Sequence, residues 1–202
     1  MLIAHLVPGY FAAVKSGSGQ SPGWSRWQRF GIWAVALGST VAPDSDVLYN
    51  AIFRGFFNHT WLWTHSLFPY LGMGVGWLLL RLSGRWLYLQ TLVGLAALGG
   101  LSHLALDVVA HSTPIFYPFS SVMVGAPSAR VLAGGVTGYL TDPIFLCEPL
   151  LLTLAALHWI GCCGFPRQTQ RLLVWGVVSG TLAFAMIFLL MLPVLQRKFV
   201  VW

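Results

Sequence analysis

The chain has 202 residues, of which 57% are hydrophobic and only 8% charged, and its mean hydropathy is +0.75. Soluble globular domains carry about 25% charged residues, so a shortfall of this size excludes an ordinary water-soluble domain and points to a chain whose solvent is lipid. The net charge of +6 lies on basic residues spread thinly through short loops, with no basic face interleaved with aromatics, and this argues against a nucleic-acid partner.

The first apolar run, Leu2 to Val14, is short for a full crossing, which needs about 20 residues. It contains His5 and Pro8 and has no charged segment before it, so it does not read as a cleavable signal peptide. A loop rich in Gly, Ser and Pro follows, from Lys15 to Gln28. Further apolar runs cover about 29–53, 66–80, 87–110, 131–160 and 172–195. The expected fold is therefore all-α, a polytopic transmembrane helix bundle forming one integral-membrane domain over 1–202, with C-terminal spans over 131–195. Ten Trp and thirteen Phe suit aromatic belts at the two interfaces.

Pro43 interrupts the second run, where it removes a backbone donor and breaks the helix. In lipid, such a break is tolerated where protein or a cavity receives the freed backbone groups. Asp44, Ser45 and Asp46 follow at once, so the break points toward a polar site.

Loop charge sets the expected orientation. Lys15, Arg26, Arg29, Arg81, Arg85, Arg167 and Arg171 fall on one side, against Arg54, Arg130, Arg197 and Lys198 on the other. The first set reads as cytoplasmic.

Only five acidic residues and six histidines are present. Ionisable groups inside apolar runs are costly, so they face a bundle interior and act together. His103, Asp107 and His111 recur at every fourth residue, which on a helix gives a stripe drifting by about 40° per step. Two imidazoles and a carboxylate on one stripe are ligand chemistry for Zn²⁺ or a similar divalent ion. Asp44 and Asp46 are either further ligands sharing a cation or caps of the helix after the break. His65 opens the next apolar run, with His59 just before it. His5 is either a ligand or a packed polar residue, and Asp142 is a candidate outer group. His158 reads as interfacial, and Glu148 has no assigned role. Cys147, Cys162 and Cys163 form no C-x-x-C pair, which excludes a zinc ribbon or a thioredoxin motif.

In order, these residues resemble the YdjM-type membrane-bound metal-dependent hydrolases. The elements are His5, Pro43-Asp44-Ser45-Asp46, His59 with Thr64-His65-Ser66, Ser102-His103 followed by Asp107, and Tyr117-Pro118-Phe119. The resemblance covers the region from His5 to about Ser120, the metal-site region 1–120. The His59 element departs from the family pattern, with six positions from His59 to His65 and Thr60-Trp61 in place of Arg-Gly. The family is itself similar to zinc-dependent phospholipase C and P1-type nucleases. That resemblance implies hydrolysis of a phosphoester or lipid-type substrate at the membrane face by one or two Zn²⁺ ions. The expected metal ligands are His65, His103, Asp107, His111 and one or both of Asp44 and Asp46, and a non-ligating carboxylate of that pair would act as general base. His5, His59 and Asp142 are additional ligand or substrate-binding candidates. The expected setting is a prokaryotic plasma membrane with the site on the non-cytoplasmic face. The rival readings are a metal-ion or proton-coupled transporter, which also uses intramembrane His and Asp beside a broken helix, and a non-catalytic protein whose metal staples helices.

Overall fold

The computed structural model describes residues 3–16, 23–55, 62–126, 138 and 140–199. Among them the regular structure is helical, apart from one isolated antiparallel bridge between Thr113 and Val124. The helices are α1 (Leu6–Lys15), α2 (Arg26–Val41), α3 (Ser45–Phe53), α4 (Leu67–Ser83), α5 (Leu87–Ala110), α6 (Cys147–Cys162) and α7 (Arg167–Phe199). His59 lies outside the described residues.

Three segments, Leu87–Ala110, Pro143–Cys162 and Arg167–Leu195, are long and apolar enough to cross a membrane. The protein is an integral membrane protein with an all-α bundle. Of these three, α5 is the most enclosed, with 39% of its most apolar window buried against 11% and 6% for the other two. It is the helix around which its neighbours pack, whereas α6 and α7 leave most of their apolar surface for lipid.

The chain divides into two compact units, residues 8–127 and residues 1–7 with 128–202. The single-domain expectation is thereby refined, and the first residues go with the C-terminal helices. A buried carboxylate explains why: Glu148, at the start of α6, accepts hydrogen bonds from the amides of Ile3 at 3.0 Å and Ala4 at 2.6 Å. Buried amides ahead of a helix need acceptors, and here a distant side chain supplies one.

In the unit spanning 8–127, α5 packs against both α2 and α4. Ser25 caps α2 through a reciprocal box with Gln28. Ser66 caps α4 by accepting from the amide of Phe68. Ala13, Ile32, Ala36 and Leu95 form the apolar core where α1, α2 and α5 meet. Two adjacent glycines set the closeness of this packing. A Cβ at Gly99 would overlap the Ser39 hydroxyl on α2, and one at Gly100 would overlap the Tyr70 ring on α4. Ser39 uses the approach to donate to the carbonyl of Leu95 at 3.2 Å.

The break expected at Pro43 is present. α2 stops at Val41, a 3₁₀ turn covers Ala42–Asp44, and α3 starts at Ser45. Pro43 is buried within that turn.

Candidate metal centre

Four side chains of the 8–127 unit converge. Asp44 ends the 3₁₀ turn after α2, His65 ends a second 3₁₀ turn (Leu62–His65) before α4, and His103 and Asp107 lie one turn apart on α5. One ligand atom from each lies within 4.8 Å of the other three. His103 Nε2 is 3.0 Å from Asp107 Oδ2 and 3.4 Å from Asp44 Oδ1. His65 Nε2 is 3.4 Å from Asp44 Oδ1 and 3.7 Å from Asp107 Oδ2. Metal bonds of about 2.1 Å in a tetrahedron place neighbouring ligand atoms about 3.4 Å apart. Four of the six pairs bracket that edge length and the remaining two lie within 4.8 Å, so the set is close enough to gather round one divalent ion.

Burial follows the same design. His65, His103 and Asp107 are 3%, 0% and 1% exposed, whereas Asp44 retains 26%. The cluster is thus walled on three members and keeps an exposed edge at Asp44. It can hold a metal ion.

The outer layer fixes which nitrogen each imidazole presents. His103 Nδ1 donates to the carbonyl oxygen of Thr40 at 2.8 Å, which turns Nε2 toward the cluster. Thr40 stands in the last turn of α2, where carbonyls have no helical partner. The Pro43 break therefore supplies an acceptor for His103 and turns Asp44 into the cluster in one stroke. His65 Nδ1 lies 3.0 Å from the Thr64 hydroxyl, and Tyr70 donates to the Thr64 carbonyl at 2.6 Å, holding that turn against α4. Composition and spacing gave no signal for Thr40, Thr64 or Tyr70; the buried His residues implied that such partners must exist.

The stripe on α5 is only partly continued by His111. α5 ends at Ala110, and His111 has extended backbone with φ −159°. Its Nε2 reaches the other oxygen of Asp107, Oδ1, at 3.2 Å, and its Nδ1 donates to the Ser112 carbonyl. Burial lowers the affinity of this imidazole for a proton, but the hydrogen bond to Asp107, the charge of that carboxylate and the Ser112 carbonyl together outweigh it, and the pKa is raised above the ordinary value. His111 sits outside the group of four and orients one of its members.

Asp46 is also outside the group of four. It is fully buried in the first turn of α3, one turn before the buried Asn50. Residues two positions apart along a helical path are turned by roughly 200–240°, so Asp44, in the 3₁₀ turn, and Asp46, in α3, address different sides. His5 is fully buried and belongs to the unit of residues 1–7 and 128–202, as does Asp142. Asp142 accepts from the Ile144 amide at 2.9 Å and caps the turn Pro143–Leu146.

The segment after α5 folds back over the start of α4. Thr113 and Val124 exchange backbone hydrogen bonds, the Leu67 amide donates to the Ile115 carbonyl, and the Ser66 hydroxyl donates to the Tyr117 carbonyl. Phe119 packs edge-on against Phe68 with ring centroids 4.9 Å apart. The Tyr117-Pro118-Phe119 element thereby braces the residue that follows His65.

Comparison with family models, with curated proteins and with solved structures finds no match. The class that fold and site define is an all-α integral membrane protein with a buried His/Asp cluster able to hold a metal ion.

Proposed function

We propose that this protein is a membrane-bound metal-dependent hydrolase acting on a phosphoester or lipid-type substrate, with Zn²⁺ as its ion. The observation that carries the reading is the convergence of ligand atoms of Asp44, His65, His103 and Asp107 within 4.8 Å of one another, with three members buried and Asp44 partly exposed. The order of motifs, which resembles the YdjM-type hydrolases, supports the same reading. A divalent ion bound there would supply Lewis-acid polarisation of a phosphoryl or acyl oxygen and a water acidified to about neutrality.

The chain's own residues have distinct tasks. His65 and His103 are held with Nε2 facing the cluster, by contacts of their Nδ1 atoms with the Thr64 hydroxyl and the Thr40 carbonyl. Asp107 divides its oxygens between the cluster and His111. The three buried members, His65, His103 and Asp107, would hold the ion and leave a fourth position beside Asp44, the partly exposed member, whose carboxylate is placed to accept a proton from a water entering there. The group of four supports one ion; a second would draw on Asp107 Oδ1 and His111. The excess of basic residues in the loops that include Arg81, Arg85, Arg167 and Arg171 favours a site on the non-cytoplasmic face of a prokaryotic plasma membrane.

The test is purification in detergent, elemental analysis, and a screen of phosphoester and lipid substrates, with Asp107→Asn as the matched control. The expected result is bound Zn²⁺ and hydrolysis in the wild type, and loss of both in the variant. Metal-replete protein that hydrolyses nothing in the screen, yet moves the ion into liposomes, would replace this reading with the transporter.

A further inference from the structure

A second group of metal-ligating side chains lies at the far end of α6, in the unit of residues 1–7 and 128–202. His158 and Cys162 are one helical turn apart and share a face. Cys162 Sγ is 3.8 Å from His158 Nε2 and 4.0 Å from Nδ1. Cys163 is the next residue, at the C-cap, and both thiols are exposed. A tetrahedral ion with a sulfur bond of about 2.3 Å and a nitrogen bond of about 2.0–2.1 Å sets those two atoms about 3.6 Å apart. The observed 3.8 Å is close to that span, so an ion could bridge the pair with a small side-chain movement.

We propose that His158 and Cys162 anchor a second, surface metal site that takes a soft d¹⁰ cation, Zn²⁺ or Cu⁺, toward which the exposed Cys163 thiol would turn as a third ligand. Two thiols and an imidazole are a three-ligand set that leaves a position open, and thiolates select soft ions. The backbone carrying the set is braced on both sides. The Cys163 amide donates to the Trp159 carbonyl at 3.0 Å, and Gly164 turns the chain with φ +64°. Trp159 packs edge-on against Phe165, and Gln170 donates to the Ile160 carbonyl at 3.3 Å. A pre-set helix end lowers the ordering cost of binding. The site differs in kind from the buried cluster. It lies at the end of a membrane-spanning segment, with exposed thiols and no carboxylate, whereas the buried cluster is carboxylate and imidazole.

The experiment uses the full-length protein in detergent, with thiols reduced, loaded with Co²⁺ alone. A cobalt–thiolate bond gives an intense near-ultraviolet charge-transfer band, and the buried cluster, having no sulfur, gives none. The expected result is a saturable band that is lost in Cys162→Ser and in His158→Ala, weakened in Cys163→Ser, and retained in Asp107→Asn. Displacement of the band by Zn²⁺, or retention of Cu⁺ against a chelator by the wild type but not by Cys162→Ser, tells which ion the site prefers. These positions are exposed or half-buried, and unchanged helical circular dichroism verifies that the variants fold. Absence of the band, its persistence in Cys162→Ser or His158→Ala, or its loss only in Cys147→Ser would overturn the proposal.

Discussion

His103 Nδ1 donates to the carbonyl oxygen of Thr40 at 2.8 Å, a bond between the middle of α5's last turns and the end of α2. It exists because α2 stops two residues before Pro43 and leaves its terminal carbonyls without helical donors. Helix break and ligand orientation are thus one feature.

Replacement of Pro43 by alanine tests that coupling. Alanine restores an amide donor and lets α2 continue toward α3, drawing Asp44 and the Thr40 carbonyl away from His103. The expected outcome is metal affinity weakened by about 10–100-fold, the range for loss of an outer-layer partner. Chelator competition on the purified protein measures it, and helical content should not fall.

Close approach of α4 to α5 depends on Gly100, where any Cβ would enter the Tyr70 ring. Gly100→Leu should destabilise the protein by about 1–3 kcal/mol through overpacking and should loosen the turn that Tyr70 holds at Thr64. Gly72 on α4 has open space where its Cβ would lie. Gly72→Ala should therefore be neutral or stabilising by up to about 1 kcal/mol. Thermal unfolding in detergent compares the two, and only the first should also lower metal content.

Glu148 is 4% exposed and accepts from two backbone amides. Glu148→Ala leaves both without their acceptor, at about 1–3 kcal/mol for the buried Ala4 amide and less for the part-buried Ile3 amide. Glu148→Gln keeps one acceptor oxygen and should cost less. The ranking wild type, glutamine, alanine in unfolding midpoint is the expected result. Equal midpoints for all three would show that the N-terminal segment is not held by this carboxylate.

Orientation can be read with single cysteines in a background where Cys147, Cys162 and Cys163 are serine. Val122 is 63% exposed in the segment after α5, and Arg85 is exposed between α4 and α5. Val122→Cys should react with an impermeant thiol reagent in intact cells and Arg85→Cys should not. The reverse pattern would place the metal cluster on the cytoplasmic face.

Sequence alone determined the lipid-solvated, helical character of the chain, because apolar run length and charge scarcity are properties of composition that no packing detail alters. It also located the break at Pro43, since a missing amide is a local chemical fact. The pairing of His103 with Asp107 was likewise legible, because a four-residue spacing fixes a shared helix face. Tertiary structure decided the rest. Which of Asp44 and Asp46 joins the cluster depended on the rotation of the turn after α2, and His111 left the stripe because α5 ends one residue before it. Glu148 gained its role from amides about 145 positions away in sequence. Thr40 and Thr64 entered through a backbone carbonyl and a hydroxyl that become partners once α5 and the turn at His65 are brought together. Contacts of that kind depend on how helices approach one another, and spacing along a single chain carries no record of it.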